Sequence, residues 1–449
     1  MAPFRYHAIV CTQEKPENVT NCSAAGSFRV LDALHRELAA AGLADDVQVS
    51  SCGCLGLCDS GPVMIVYPEG TWYTKLGPAE VKEVVTSHFN NGKKVARLER
   101  NDYEAMKAEI LEHREKYLAM LKAKDAAAVL PDDIVEMIRG FMPSRAVLTA
   151  LELDVFTAVG QGATAQQVAG KVDCAVRATE SLLNALVALK LLEKRAGTYT
   201  NAPVAARFFV EGSPDSARLG QLHIANMWKR WSTLTDAMKA GTSVAPRGGD
   251  DWIKPFIGAM DVNARGRARG VIQAAGINGA KRLLDLGGGS GAYSIAFAQA
   301  APGLQCEIID LEDVLPITRE YIRKAGLADR ISTRPGDMLS VPLEAGKYDL
   351  VLLSAICHMF SPEENQRLLK RAYDALAPKG RLVISDFVLD PDKTAPRFGA
   401  LFALNMLVGT RAGSSYSEPE YATWLKEAGF AETKRVRMPG PASLMIGTK

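Results

Sequence analysis

The run RLLDLGGGSGAYS, residues 282–294, restricts the fold more than any other part of the sequence. An apolar segment enters three alternate glycines, Gly287, Gly289 and Gly291, and a helix-favouring segment leaves them. Glycines at such a turn let the backbone bend tightly and approach a ligand closely. From about residue 252 the chain repeats this rhythm. LQCEIIDL, RISTRPGDM, YDLVLLSAI and RLVISDFVL read as apolar strands separated by helical stretches. The alternation predicts a mostly parallel sheet with helices on both faces, a Rossmann-like α/β domain over 252–449.

Acidic residues follow the strands. Asp285 precedes the glycines, and Asp310 ends the next strand, where a carboxylate can accept both ribose hydroxyls of a nucleoside. In Gly336-Asp337-Met338, after the third strand, Asp337 can accept from an adenine amino group and Met338 can pack on its ring. The glycines do not meet the dinucleotide spacing G-x-G-x-x-G, and no second glycine turn serves a nicotinamide half.

A chain of 449 residues calls for two to four domains. A formal charge of +2 argues against a polyanion such as nucleic acid as the partner. No run of about 18 apolar residues predicts a membrane span, and the first residues lack a signal peptide's apolar region. A cytoplasmic location is the expectation, and the glycosylation patterns at Asn18 and Asn21 are then chance matches. Residues 1–98 read as a small α/β domain with five cysteines in its loops, and 99–128 as a charged, solvated linker helix. Residues 129–245 read as helices with one hairpin around Ala196-Gly197, a winged-helix pattern. Its recognition helix, ATESLLNALVALKLL, is mostly apolar, which favours packing or dimerisation over DNA binding.

Five of the eight cysteines lie between positions 11 and 58. Cys11 and Cys22 form one pair, and Cys54 and Cys58 a second, with Cys52 extra. In a reducing compartment, clustered thiols suggest metal ligation or redox chemistry. Two pairs on loops after strands could supply the four soft ligands of an iron–sulfur cluster. Zinc knuckles more often show C-x2-C, and a dithiol site would want C-x-x-C opening a helix. Unliganded thiols are the remaining alternative. Cys174, Cys306 and Cys357 read as packing residues, and His7, His35 and His88 as ordinary ones.

The motifs LLDLGGGSGAYS, EIIDL, RPGDM, LLSAICHMFSPEEN, LAPKGRLVISDFVLD and EPEYATWLKEAGF occur in this order. With them, residues from about 130 to 449 resemble the class I S-adenosylmethionine-dependent methyltransferases, and within these the acetylserotonin and plant-phenol type of O-methyltransferase. The resemblance implies a winged-helix region that makes a homodimer and a methyl donor held by Asp285, Gly287, Gly289, Gly291, Asp310, Leu311, Gly336, Asp337, Met338 and Ser354. It implies His358 as general base, steered by Asp386. Relatives carry a second steering acid where this chain has Ser415, and many have Asp where it has Met359. MWKRW at 227–231 and FALNMLVGTR at 402–411 are candidates to line a pocket for an apolar small molecule.

VCTQEKPENVTNCSAAGS, CLGLCDSGPVMIVYPEGTWY and HFNNGKKV make residues 4–97 similar to the thioredoxin-like 2Fe–2S ferredoxins of the Shethna type. That resemblance implies Cys11, Cys22, Cys54 and Cys58 as cluster ligands. The function expected is methyl transfer to a small hydroxylated molecule by an enzyme fused to an electron-transfer or redox-sensing module, with an electron-transfer partner for the cluster. The alternative is a redox protein whose methyltransferase-like half binds S-adenosylmethionine without methylating.

Overall fold

In YHAIVC, Tyr6, Ala8 and Val10 are buried and alternate with half-exposed residues, the period of a strand. This strand, β1 (Tyr6–Cys11), lies at the centre of a four-stranded sheet. The helix Ser27–Ala40 carries the chain to β2 (Val47–Cys52), parallel to β1. On the other side β3 (Met64–Tyr67) runs antiparallel, followed through the expected Pro-Glu-Gly turn by β4 (Thr71–Tyr73). The expected helix after Pro78 forms over Pro78–Val84 and continues as a wider π-type turn over Val85–Asn90. Val10, Leu34, Met64, Tyr73, Val84 and Phe89 belong to one core.

The protein was analysed as a computed structural model that describes residues 3–15, 19–126, 130–245, 253–277 and 279–449. It comprises two compact units, Met1–Met137 and Ile138–Lys449. The first holds the β1–β4 sheet and the helix Tyr103–Ala126. This helix is not the fully solvated linker expected of its charge. Met106 and Ile110, one turn apart on one face, pack against the cysteine-bearing loops. A second expectation is corrected too: not all five thiols lie in loops. Cys11 closes β1 and Cys52 closes β2, and the two are register partners.

The second unit holds both remaining regions. Its N-terminal part contains the helices Phe141–Glu152, Val155–Val159, Ala165–Lys171 and Val176–Ala188. A short β5 (Ala163–Thr164) pairs with the hairpin of β6 (Leu192–Arg195) and β7 (Thr198–Asn201). Ala196 and Gly197 both take positive φ (47° and 80°), as a two-residue hairpin turn requires. The helices and hairpin form the winged-helix arrangement read from the sequence. The boundary expected between 245 and 252 falls largely on residues outside those described.

After the helix Ile253–Ala275 come β8 (Arg282–Leu286), β9 (Gln305–Asp310), β10 (Ile331–Pro335), β11 (Tyr348–Ser354) and β12 (Leu376–Asp386), all parallel. Two strands that the sequence pattern had not indicated, β13 (Glu432–Arg437) and β14 (Ser443–Thr448), add antiparallel pairs. The order is β10-β9-β8-β11-β12-β14-β13. Strand order reverses between β8 and β11, so a crevice opens beyond their C-terminal ends, where folds of this kind bind ligands. Among the described residues no helix is long and apolar enough to cross a membrane.

Candidate active site and thiol cluster

The glycine turn is built for close approach. Gly287, Gly289 and Gly291 all have positive φ (73°, 56° and 76°), which other residues adopt only with strain. A side chain at Gly287 would overlap Ile356 and Met338. That single position therefore brings together the first turn, the third-strand motif and the segment leading to His358. The loop is fastened from the next strand: Asp310 Oδ2 accepts the Gly289 N–H at 2.8 Å, and Oδ1 accepts the Leu311 N–H at 2.8 Å. Each carboxylate oxygen keeps a further lone pair for a ligand hydroxyl. Burial pushes the Asp310 carboxyl above the usual aspartate range.

Asp285 is fully enclosed and accepts the Ser294 hydroxyl at 2.7 Å. Burial, with help from the Asp310 charge, pushes its carboxyl up to about 7 against the lowering effect of that bond. Asp285 thus supports the turn from beneath. Asp337 is exposed and commits Oδ1 to its own turn, accepting Leu339 N–H at 2.9 Å. Gly336 packs so tightly on Val341 that a Cβ would stand 2.6 Å from its side chain. Ser354 and Met338 are half-buried, and Leu311 is exposed. The ten residues expected to hold a donor all lie on the C-terminal ends of β8, β9, β10 and β11 or on the loops that follow.

Beyond β11 the chain forms one 3-10 turn, Cys357–Met359, which presents His358. His358 is 6% exposed. Its Nδ1 lies 2.7 Å from Asp386 Oδ1, at the end of the neighbouring β12. Asp386 also accepts the His358 N–H at 3.1 Å, the Phe387 N–H at 2.8 Å and the Tyr421 hydroxyl at 3.3 Å. Four donors fix the orientation of the carboxylate. It fixes the proton on Nδ1 and leaves the Nε2 lone pair as an acceptor. Phe402 meets the imidazole edge-on at 4.9 Å, and Phe387 stacks at 6.0 Å.

The two stretches expected to line a pocket come together here. Trp231 Nε1 donates to Asn405 Oδ1 at 2.9 Å, joining the helix Arg218–Trp231 to the helix Arg397–Gly409 that carries Phe402. Ser415 is buried at 3% exposure, and among the described residues its hydroxyl has no hydrogen-bond partner. The acidic side chain that meets His358 is therefore Asp386. Tyr421, Phe387 and Ile356 were not singled out from the sequence. Tyr421 sits within EPEYATWLKEAGF, where its spacing signals only a buried helix face.

In the first unit, Cys11 and Cys22 share a hydrogen bond that, more than any other effect, holds the Cys11 thiol below its ordinary range. Cys54 and Cys58 sulfurs stand 3.4 Å apart. Lys15 Nζ donates to Cys58 Sγ at 3.0 Å, and the Gly56 N–H to Cys54 Sγ at 3.4 Å. Burial pushes Cys58 up to about 11 against the pull of Lys15. Gly61 links the pairs: a Cβ there would lie 2.9 Å from Cys22 Sγ and 3.3 Å from the Cys58 carbonyl. Leu57, Val63 and Met106 wall the site, with Trp72 and Ile110 at its edge. Among the described residues no three His, Cys, Asp or Glu side chains converge as they would on a single metal ion. The thiols form two pairs, Cys11 with Cys22 and Cys54 with Cys58. Cys52 stands apart, half-buried beside Cys11, its thiol pushed up to about 11 by burial.

Comparison with known proteins bears on the second unit. Residues 251–431 match the O-methyltransferase domain, and residues 135–211 the O-methyltransferase dimerisation domain. The chain is 32% identical to 3-hydroxy-5-methyl-1-naphthoate 3-O-methyltransferase of Streptomyces sahachiroi, over 71% of this chain and 95% of that protein. It is also 32% identical to the S-adenosyl-L-methionine-dependent methyl transferase PigF of a Serratia species, again over 71% and 95%. A solved structure of PigF with SAH superposes with a TM-score of 0.66 at 28% identity, covering 72% of this chain and all of that one.

Proposed function

The chain belongs to the O-methyltransferase family, and we propose that its second unit methylates a hydroxyl of an apolar aromatic or polycyclic small molecule with His358 as the base. The observation that carries this reading is the 2.7 Å contact between His358 Nδ1 and Asp386. S-adenosylmethionine supplies a methyl group on a positively charged sulfur, already a strong electrophile. What remains for the protein is to position the acceptor and remove its proton. Nε2 of His358 takes that proton, and Asp386 stabilises the imidazolium that results. Phe387 and Phe402 keep water from the imidazole and offer flat apolar faces to a ring system.

On the donor side, Asp310 accepts the ribose hydroxyls and Asp337 the adenine amino group. Met338 lies on the ring, and the Gly287–Gly291 turn admits the methionine portion. Asp285, Leu311, Gly336 and Ser354 shape that cradle. Names of relatives support an aromatic acceptor: one acts on a hydroxynaphthoate, and another, from Streptomyces glaucescens, is named for tetracenomycin polyketide synthesis. The test is transfer of labelled methyl from S-adenosylmethionine to a panel of hydroxynaphthoates and polycyclic phenols. His358→Asn should lower turnover by about 10²–10⁴-fold without changing donor affinity. Undiminished turnover would remove His358 from its role.

The dimerisation-domain match supports a homodimer. So do the exposed apolar side chains Ile138, Phe141 and Met142 of the second unit, each more than half accessible. Light scattering on the full chain reads the assembly directly.

For the first unit the reading is a thioredoxin-like 2Fe–2S module, with Cys11, Cys22, Cys54 and Cys58 holding the cluster. The paired thiols and the N–H groups aimed at sulfur support it. The cluster would supply one-electron transfer or redox sensing beside the transferase. Protein purified without oxygen should be red-brown, with two irons and two sulfides per chain. A colourless protein holding zinc would end this reading.

A further inference from the structure

We infer that Tyr421 is a positioning residue for methyl transfer: its hydroxyl holds the free edge of Asp386, and through Asp386 it sets the basicity of His358. The inference rests on the reading of His358 and Asp386 as the base and its steering acid.

Asp386 meets the imidazole through Oδ1. Its other oxygen, Oδ2, is held by the backbone N–H of His358 and by the Tyr421 hydroxyl. Tyr421 is therefore the only side-chain donor to that oxygen among the described residues. It is 1% exposed, so water does not share the task. The helix Glu418–Ala428 holds it there, with Tyr416 and Trp424 packed edge-on against its ring.

The neighbouring hydroxyls are engaged elsewhere or idle. Tyr416 donates to the Phe360 carbonyl, and the buried Ser415 hydroxyl has no partner among the described residues. The other groups that bear on the pair are the Cys357 thiol, buried beside the Tyr421 hydroxyl, and Arg267, over the outer Phe387 ring at 6.0 Å. Cys357 is held neutral, chiefly by burial. A donor to a carboxylate spreads its charge and weakens its hold on a second donor. Tyr421 thus moderates how strongly Asp386 pulls on the Nδ1 proton, and through it the imidazole as a proton acceptor.

The test needs no acceptor. The chain has six histidines, and with histidine-selective isotope labelling the His358 ring signal is identified by its loss in His358→Asn. Its titration is then followed in variants of the full chain. Tyr421→Phe should raise the His358 pKa, because Asp386 then concentrates its charge on the imidazole. Tyr416→Phe should leave it in place. Replacing Tyr421 by difluorotyrosine keeps the shape, makes the hydroxyl a stronger donor and should move the pKa down; it also covers the case of a Tyr421→Phe chain that does not fold. Identical titrations in the wild type and the Tyr421 variants, or an equal shift in Tyr416→Phe, overturn the inference. If Asp386→Asn also leaves the pKa unmoved, the His358–Asp386 pairing itself fails. A pKa that responds to Asp386 but not to Tyr421 sinks only the role of Tyr421.

Discussion

Replacing Asp310 by alanine should cost the protein most of its affinity for the methyl donor. Its two oxygens each accept one backbone N–H, from Gly289 and Leu311, both at 2.8 Å. A carboxylate offers about four acceptor positions, so two remain for the two ribose hydroxyls. Hydrogen bonds to a charged acceptor contribute about 1.5–3 kcal/mol each. Losing two at the lower end costs about 3 kcal/mol, or about 100-fold in Kd. Freeing the Gly289 N–H also loosens the turn, which moves the loss in the same direction. Asp310→Asn should fall between, because the amide oxygen still accepts while the amide nitrogen faces a backbone N–H. Titration calorimetry with S-adenosylmethionine and S-adenosylhomocysteine measures both. The wild type should also weaken on acidification, since protonation removes an acceptor. Burial places that transition above the usual aspartate range, and the alanine variant should lack it. Wild-type affinity in Asp310→Ala would refute the assignment of Asp310 as the ribose acceptor.

Three further outcomes are expected. Burial raises the folded-state pKa of Asp285 to about 7, so its contribution to stability is complete below pH 4 and lost as pH rises through 7. Asp285→Asn should then melt progressively higher than the wild type between pH 5 and 8, and a pH-independent difference would count against this. A Cβ at Gly413 would overlap the His358 carbonyl, so Gly413→Ala should lower turnover about 10-fold or more by displacing the base, while calorimetry finds donor binding intact. Gly61→Ala sets a methyl group 2.9 Å from Cys22 Sγ and should reduce iron content, whereas Cys52→Ala should retain it; equal iron in both would detach Gly61 from the site.

Much of the second unit was legible because its signals are local. A glycine turn needs positive φ at fixed positions, and an apolar strand on each side of it leaves few folds open. β13 and β14 escaped for a physical reason. ETKRVR lies at the sheet edge with most side chains exposed, so its polar pattern resembles a surface loop. SLMIGT is buried throughout but short, and its pairing with β12 is a long-range fact. The helix Tyr103–Ala126 misled in the opposite sense. Its many charges signal a solvated helix, yet two of its apolar residues one turn apart pack against the cysteine loops.

The chemistry divides along the same line. His358 and Asp386 were singled out through the family resemblance, and the fold brings them together because parallel neighbours deliver strand-end residues to one crevice. Tyr421 was not, because its hydroxyl reaches Asp386 from a helix 35 positions later in the chain. The thiols show what register adds to spacing. Cys52 lies two residues from Cys54 in sequence, an extra thiol beside the Cys54–Cys58 pair. In the fold it is the strand partner of Cys11, while Cys54 turns toward Cys58. Three cysteines within seven residues are thus parted by the end of β2, and the two that follow it come together because a loop, unlike a strand, can bend two thiols toward each other.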